Sequence, residues 1–357
     1  MGMAEEASAY AGFCASSLKT SVPRSCALTS DLISSAASTL ANERDLIESA
    51  NLGELSIQSI GYEVGVPDPR IHVYTTKGRA PKTAIPIMIQ GHTFEVVINK
   101  VGAITIDPFK APITGNIYFN TNGRLCCGSS CAPQREKYSG TIGALVEVDG
   151  ENFILSNNHV LSNCNQVSMD MPILAPSNAD GHQNAPSQAI AKLRKIVPVI
   201  SGSPSFVPLN SVDIALALIP NLDLISSWQG DPVQGYDTPI VIGRPQTGIE
   251  VKKFGRTTGL THGTLFTKQP IHPIRFNGDS FSATLWFRDV WTIITADPDE
   301  PVVVGGDSGS LVVSEDGTEA LGLVFAGSPD GSQGLMISMQ EIQRVWPSLR
   351  LIGSHGI

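Results

Sequence analysis

The apolar residues of this chain fall in short runs separated by turn residues, and most runs carry the two-residue period of strands. Residues 57–64, 71–76, 85–90 and 93–101 alternate or run apolar, with Pro67-Asp68-Pro69 and Gly91-His92 as turns. Residues 141–148 and 152–155 flank Asp149-Gly150, a two-residue signal for a tight hairpin. Residues 211–219 form a near-continuous apolar run broken by Asp213, and Val302-Val303-Val304 and Leu311-Val312-Val313 read as two further strands. Helical patterning is confined to the ends. Residues 31–50 read as a helix with several carboxylates and few large apolar residues, so a surface helix or mobile arm is expected. Ser338-Met339-Gln340-Glu341 is a capping box that opens a helix toward Val345.

These elements divide the chain into a helical or mobile arm over 1–51, a small β-rich module over 52–136, and a larger β domain over 137–357. The second region closes in a Gly/Asn/Cys loop over 116–136. No internal repeat is visible.

Composition narrows the function class. With 357 residues and 41% hydrophobic residues the chain can bury a substantial core, and 16% charged residues argues against disorder or a coiled coil. The 34 Gly and 24 Pro suit a mainly β protein. A net charge of −9 disfavours nucleic-acid binding through a basic face. No apolar run is long enough to span a bilayer, so no membrane partner is expected. The opening Met1-Gly2-Met3-Ala4-Glu5-Glu6 is acidic where a secretory signal would be basic, and no clean apolar core follows it.

Candidate chemistry centres on Gly305-Gly306-Asp307-Ser308-Gly309-Ser310, a glycine-rich turn between the two Val-rich runs. It presents the Ser308 hydroxyl, a poor nucleophile until a base takes its proton. Glycine at 306 lets the amides of Gly306 and Ser308 point the same way, as an oxyanion hole requires. A candidate base, His159, follows the apolar run Phe153-Ile154-Leu155. Asp213 sits near the start of its own apolar run, where an ionised carboxylate is costly unless paired. Each has a plainer reading: an ordinary hairpin turn, a structural histidine, a solvated aspartate.

In the order His159, Asp213, Ser308, the blocks Leu155-Ser156-Asn157-Asn158-His159-Val160-Leu161, Ser211-Val212-Asp213 and Gly306-Asp307-Ser308-Gly309 resemble the trypsin/chymotrypsin-like serine peptidases over roughly residues 137–345. A fourth block, Phe254-Gly255-Arg256-Thr257-Thr258-Gly259, is similar to a strand-turn-strand of the bacterial enzymes of that family, the α-lytic protease and streptogrisin group among them. The resemblance is nearest to the intracellular bacterial-type members.

The resemblance implies a chymotrypsin-like double β-barrel with a C-terminal helix. It implies serine endopeptidase activity through a His159-Asp213-Ser308 triad, with the Gly306 and Ser308 amides as oxyanion hole. No metal or organic cofactor is required, and the partner is a protein or peptide substrate. A catalytically weak or inactive protease-fold binding module is the alternative, and a non-proteolytic hydrolase a third reading. The pocket floor falls at Val302 and Val303 and its wall on residues 323–327, including Phe325 and Gly327. None of these is charged, so a small or medium apolar residue is expected before the scissile bond. Asp297, Asp299 and Glu300 are the nearby carboxylates that an altered loop could bring in.

Activation is expected without proteolytic processing. Asp307 needs a buried cation, and the resemblance supplies it from Lys253. Adjacent strand residues face opposite ways, so only one of Lys252 and Lys253 points inward.

There are six cysteines: Cys14, Cys26, Cys126, Cys127, Cys131 and Cys164. The positions that secreted relatives bridge are here Val160, Lys252 and His262, which implies a reducing, cytoplasmic setting. A zinc corner of Cys126, Cys127, Cys131 and Cys164 lacks the paired spacing of a tetrahedral set, and reduced thiols are expected instead. The N-terminal region is where a regulatory partner would act.

Overall fold

The computed structural model describes residues 56–77, 85–89, 92–102, 104–106, 117–182, 185–201, 208–278 and 281–357. The helix expected over 31–50, Cys14 and Cys26 lie outside the described residues.

The protein is mainly β, with two curled sheets packed against each other. The first sheet has eight strands. In spatial order they are Arg350–Leu351, the hairpin Ala144–Val148 and Glu151–Ser156, then Ala215–Leu218, Gln188–Ile196, Pro172–Ala175, Ser130–Pro133 and Gly140–Thr141. The hairpin turns at Asp149 (φ 54°) and Gly150 (φ 82°), the left-handed pair that matches the twist of its strands.

The second sheet closes on itself. In spatial order its ring runs Ser282–Thr295, Gln333–Ser338, Glu319–Gly327, Leu311–Ser314, Glu250–Gly255 and Gly259–Asn277, and the last pairs back with the first. The extra pairing of Gly259–Asn277 with Ser282–Thr295 curls these six strands into a ring. The strand Ser56–Tyr62 joins this sheet where Tyr62 opposes Lys268, and Ile71–Lys77, His92–Lys100 and Ile85–Ile89 extend it outward. Glu63 fixes that junction. Burial opposes its charge, but hydrogen bonds from His72 and Arg70 hold its carboxyl at about 2.

Strands at the contact of the two sheets are buried on both faces, which is why they read as continuous apolar runs. Leu145 and Ile154 pack with Ile142, Leu193 and Ala217 on one side. Ala144, Val146, Phe153 and Leu155 share the other cluster with Leu311, Val313, Leu323 and Phe325 of the second sheet.

Two segments differ from the sequence reading. The loop expected over 116–136 is not plain in its described part, 117–136: Asn120–Thr121, Arg124–Cys127 and Ser130–Pro133 are strands, and the last lies in the first curled sheet. Val302-Val303-Val304 is not a strand. Its backbone is taken by local contacts, Val302 N–H to Gly331 O at 2.8 Å and Val304 N–H to Asp307 Oδ2 at 3.1 Å, which leaves no ladder to join. The closing helix is Met339–Val345, with Ser338 as N-cap accepting from Glu341 N–H.

Candidate active site

His159 sits in the one-turn helix Asn158–Leu161 that follows the strand Glu151–Ser156. Asp213 lies just before Ala215–Leu218, the strand that pairs with Glu151–Ser156, so sheet register brings the two together. Asp213 Oδ1 accepts the His159 backbone N–H at 3.0 Å, and Oδ2 hydrogen-bonds His159 Nδ1. Both side chains are buried. Asn157 Nδ2 donates to the Asp213 carbonyl at 2.8 Å and fixes the aspartate's backbone from the other side. With Nδ1–H committed to Asp213, Nε2 is the basic nitrogen.

Ser308 and His159 line one cleft of about 500 Å³ between the two sheets. Ser308 Oγ donates to Phe325 O at 3.4 Å, so the hydroxyl is not hydrogen-bonded to His159 here.

The loop before Ser308 is held on every side. Thr257 Oγ1 donates to Gly305 O at 2.8 Å, and Thr141 Oγ1 donates to Gly306 O at 2.8 Å. Thr141 N–H donates to Ser308 O at 2.8 Å, and Gly309 N–H to Val324 O at 2.8 Å. Gly306 has φ 95°, and a Cβ there would lie 2.4 Å from Thr257 Oγ1. Only glycine fits this backbone conformation and this space. Among the described residues no acceptor is found for the amides of Gly305, Gly306 and Ser308, whereas those of Val304, Asp307, Gly309 and Ser310 are all paired. Free amide donors on either side of Asp307, one of them on Ser308 itself, are the kind of group that can hold an oxyanion.

Asp307 is the anchor of that loop. Its carboxylate accepts from the amides of Thr257 (2.9 Å), Thr258 (3.1 Å) and Val304 (3.1 Å), from Thr258 Oγ1 (2.8 Å) and from Lys253 Nζ (3.3 Å). Lys253 also reaches Thr258 Oγ1 at 2.6 Å. Burial pushes the Lys253 ammonium below its ordinary value, and the Asp307 charge opposes that shift. Lys252 faces the other way and lies over the Tyr236 ring, 4.9 Å from its centroid.

Arg256 belongs to a second buried pair. Its guanidinium makes a two-point contact with Asp180, Nε to Oδ2 at 2.8 Å and Nη2 to Oδ1, and reaches Thr257 Oγ1 at 3.0 Å. Desolvation raises the Asp180 carboxyl, but hydrogen bonds from Arg256 and Ser130 outweigh it and hold the group below the usual range.

The pocket residues divide. Val303 and Gly327 line the cleft together with Val304, Gly305 and Ala326. Val302 packs into the core with Val251 and Leu265, and Phe325 packs against Phe287. Neither side chain faces the cleft; Phe325 contributes its carbonyl instead. Val303 fills the space beside Gly327 and Gly334, where an added Cβ would come within 2.9 and 2.6 Å of its methyls. No described lining residue carries a carboxylate or a fixed cation. Asp297, Asp299 and Glu300 close their own exposed turn away from the cleft.

Cys126, Cys127, Cys131 and Cys164 are buried free thiols. Sequence reading missed Thr141, Asp180 and the strand Thr105–Ile106, which lines the cleft beside Ser308. None sits in a motif that announces it.

No family model and no curated sequence matches the chain. Solved structures do. Protease A of Thermobifida fusca is similar over 64% of this chain and 98% of its own, at 16% identity and TM-score 0.43. A glutamic-acid-specific serine protease with a histidine triad in substrate binding is similar over 64% of this chain and 100% of its own, at 13% identity and TM-score 0.43. Cellulomonas bogoriensis chymotrypsin is similar over 68% and 98%, at 16% identity and TM-score 0.40.

Proposed function

We propose that the chain is a serine endopeptidase. The observation that carries this reading is the occurrence of three things at one cleft: a histidine oriented by a buried aspartate, a serine hydroxyl, and a loop whose Gly306 and Ser308 amides have no acceptor. His159 Nε2 takes the proton of Ser308 Oγ as Oγ attacks a peptide carbonyl. Asp213 keeps the proton on Nδ1 and stabilises the imidazolium. The oxyanion is received by the Gly306 and Ser308 amides, where loss of one donor costs ~2.7–4 kcal/mol of barrier. His159 then protonates the leaving amine, and water enters to release the acyl group.

The neutral cleft lined by Val303 supports a small or medium apolar residue before the scissile bond, since a buried cation there would lack a partner. Activity within a reducing cell interior, without cofactor or metal, remains part of this proposal.

A protease-fold binding module is the second reading. One observation favours it: Ser308 Oγ is bonded to Phe325 O and not to His159. Catalytic hydrogen bonds are often long in ligand-free enzymes and tighten when substrate binds, so the endopeptidase reading is preferred. Covalent labelling by an alkyl fluorophosphonate separates the two. Labelling that is lost in Ser308→Ala supports the enzyme, and an unlabelled wild type leaves the binding module. Peptide-library cleavage with the same control then distinguishes a peptidase from an esterase.

A further inference from the structure

The sheet edge nearest Ser308 is already occupied by this chain. Ser308 Oγ bonds to the carbonyl of Phe325, which lies in the strand Glu319–Gly327. Two residues further on, Gly327 pairs antiparallel with Thr105. Thr105 and Ile106 also pair in parallel with Arg275 and Phe276, so the short strand is wedged between two strands of the second barrel. Ile104 and Ile106 are buried with Phe276 and Phe325 in the shared core, and Gly102 lies against Pro329.

The direction of this strand matters. Running antiparallel from the level of Gly327, it proceeds toward the level of Phe325 and so toward Ser308. Ile106 lines the same cleft as His159 and Ser308. For Ser308 to attack a peptide bond, the bond must be held within about 3–3.5 Å of Oγ. An extended peptide is most readily held there by adding as a strand to the adjacent sheet edge. The backbone of 104–106 lies on that edge in a direction that an incoming peptide could share.

Resting on the endopeptidase reading, we infer that the strand Thr105–Ile106 is an intramolecular competitor for the peptide-binding edge at Gly327, so that a protein substrate must displace residues 104–106 before it reaches Ser308. The backbone pairing at Gly327 is sequence-independent, and two buried isoleucines add an anchor that a free peptide has to outcompete. The surface partner is therefore an extended apolar peptide, and the chain's own strand sets the threshold for its entry. A purely architectural strand is the opposing reading.

Two probes separate access from chemistry. An alkyl fluorophosphonate needs only a reactive Ser308, whereas a tetra-alanine diphenyl phosphonate also needs the sheet edge. Thr105→Pro removes a backbone donor and disfavours the paired conformation. The ratio of peptidyl to alkyl labelling rates should rise at least tenfold in Thr105→Pro. An unchanged or lowered ratio overturns the proposal. Where that variant does not fold, full-length Ser308→Ala supplies the second measurement: excess casein peptides should speed hydrogen exchange at the Thr105 and Ile106 amides at least tenfold, and unchanged protection overturns the proposal. Absence of alkyl labelling in the wild type would instead defeat the endopeptidase reading, and the exchange result would stand apart from it.

Discussion

Lys253 Nζ lies 3.3 Å from Asp307 Oδ2, with both side chains buried directly behind the loop that presents the Gly306 and Ser308 amides. Arg256, three residues along, is held by Asp180 instead. The loop therefore rests on one buried cation while its neighbour braces the adjoining turn. Lys253→Met leaves the Asp307 carboxylate buried with its amide donors but without its counter-charge. Removing one partner of a buried pair costs about 3–5 kcal/mol, and a loop that relaxes to relieve this moves the Gly306 amide. Urea melts should show that loss, and turnover should fall with the triad untouched. Full stability and full activity in Lys253→Met would remove the loop-anchoring role.

Thr141 bonds both the loop and the Arg256 turn: its Oγ1 donates to Gly306 O and accepts from Arg256 N–H at 3.1 Å. Thr141→Val keeps the shape and deletes both bonds. Leaving a buried carbonyl and a buried amide without partners costs about 1–3 kcal/mol for each group. The expected result is a fall in kcat on the order of tenfold with KM little changed, read by steady-state kinetics. A change confined to KM would place Thr141 in substrate binding instead.

His272 gives a pH dependence with a definite sign. It is buried between the second barrel's strands, Nδ1 is bonded to Gln269 Oε1, and its Nε2 has no hydrogen-bond partner. Desolvation lowers its folded-state value from 6.5 to about 3. The unfolded chain therefore binds the extra proton first as pH falls. Stability contributed by the neutral ring is complete above pH ~6.5 and is lost toward pH ~3, at about 1.4 kcal/mol per pH unit from this group. His272→Phe should start less stable at pH 7, because the Gln269 bond is gone, yet lose less between pH 6.5 and 4. Parallel declines for the two proteins in urea melts would show that the ring is not the titrating group.

The cysteines should be inert in the folded protein. Burial pushes the Cys126 thiol up to about 12, and Cys127, Cys131 and Cys164 higher still. Thiolate, not thiol, reacts with alkylating agents, so iodoacetamide at pH 8 should leave these four unmodified until denaturant is added. Dithiothreitol should not alter activity. Rapid modification of Cys126, Cys127 or Cys131 under native conditions, read by mass spectrometry, would mean that the segment 124–133 opens, and modification of Cys164 that the turn after the helix Asn158–Leu161 does.

The sequence by itself determined the local features. Asp149-Gly150 fixed a hairpin, Ser338 and Glu341 fixed a helix start, and alternation required Lys252 and Lys253 to face opposite ways, because each depends only on neighbouring residues; which lysine turns inward was implied by the resemblance and is seen in the Lys253–Asp307 contact. The three chemistry-bearing blocks were legible for the same reason: each is a short run with its own turn or strand pattern. Tertiary structure alone decided who meets whom across the chain. Thr141 reaches Gly306 from 165 positions away and Asp180 reaches Arg256 from 76. The strand Thr105–Ile106 finds the edge at Gly327. A two-residue period states which face of a strand is buried but not which strand lies beside it. It also misplaced Val302-Val303-Val304, where β-branched side chains fill a core while their backbone is claimed by Asp307 and Gly331, since apolar burial and ladder pairing are separate requirements that only the assembled barrel reconciles.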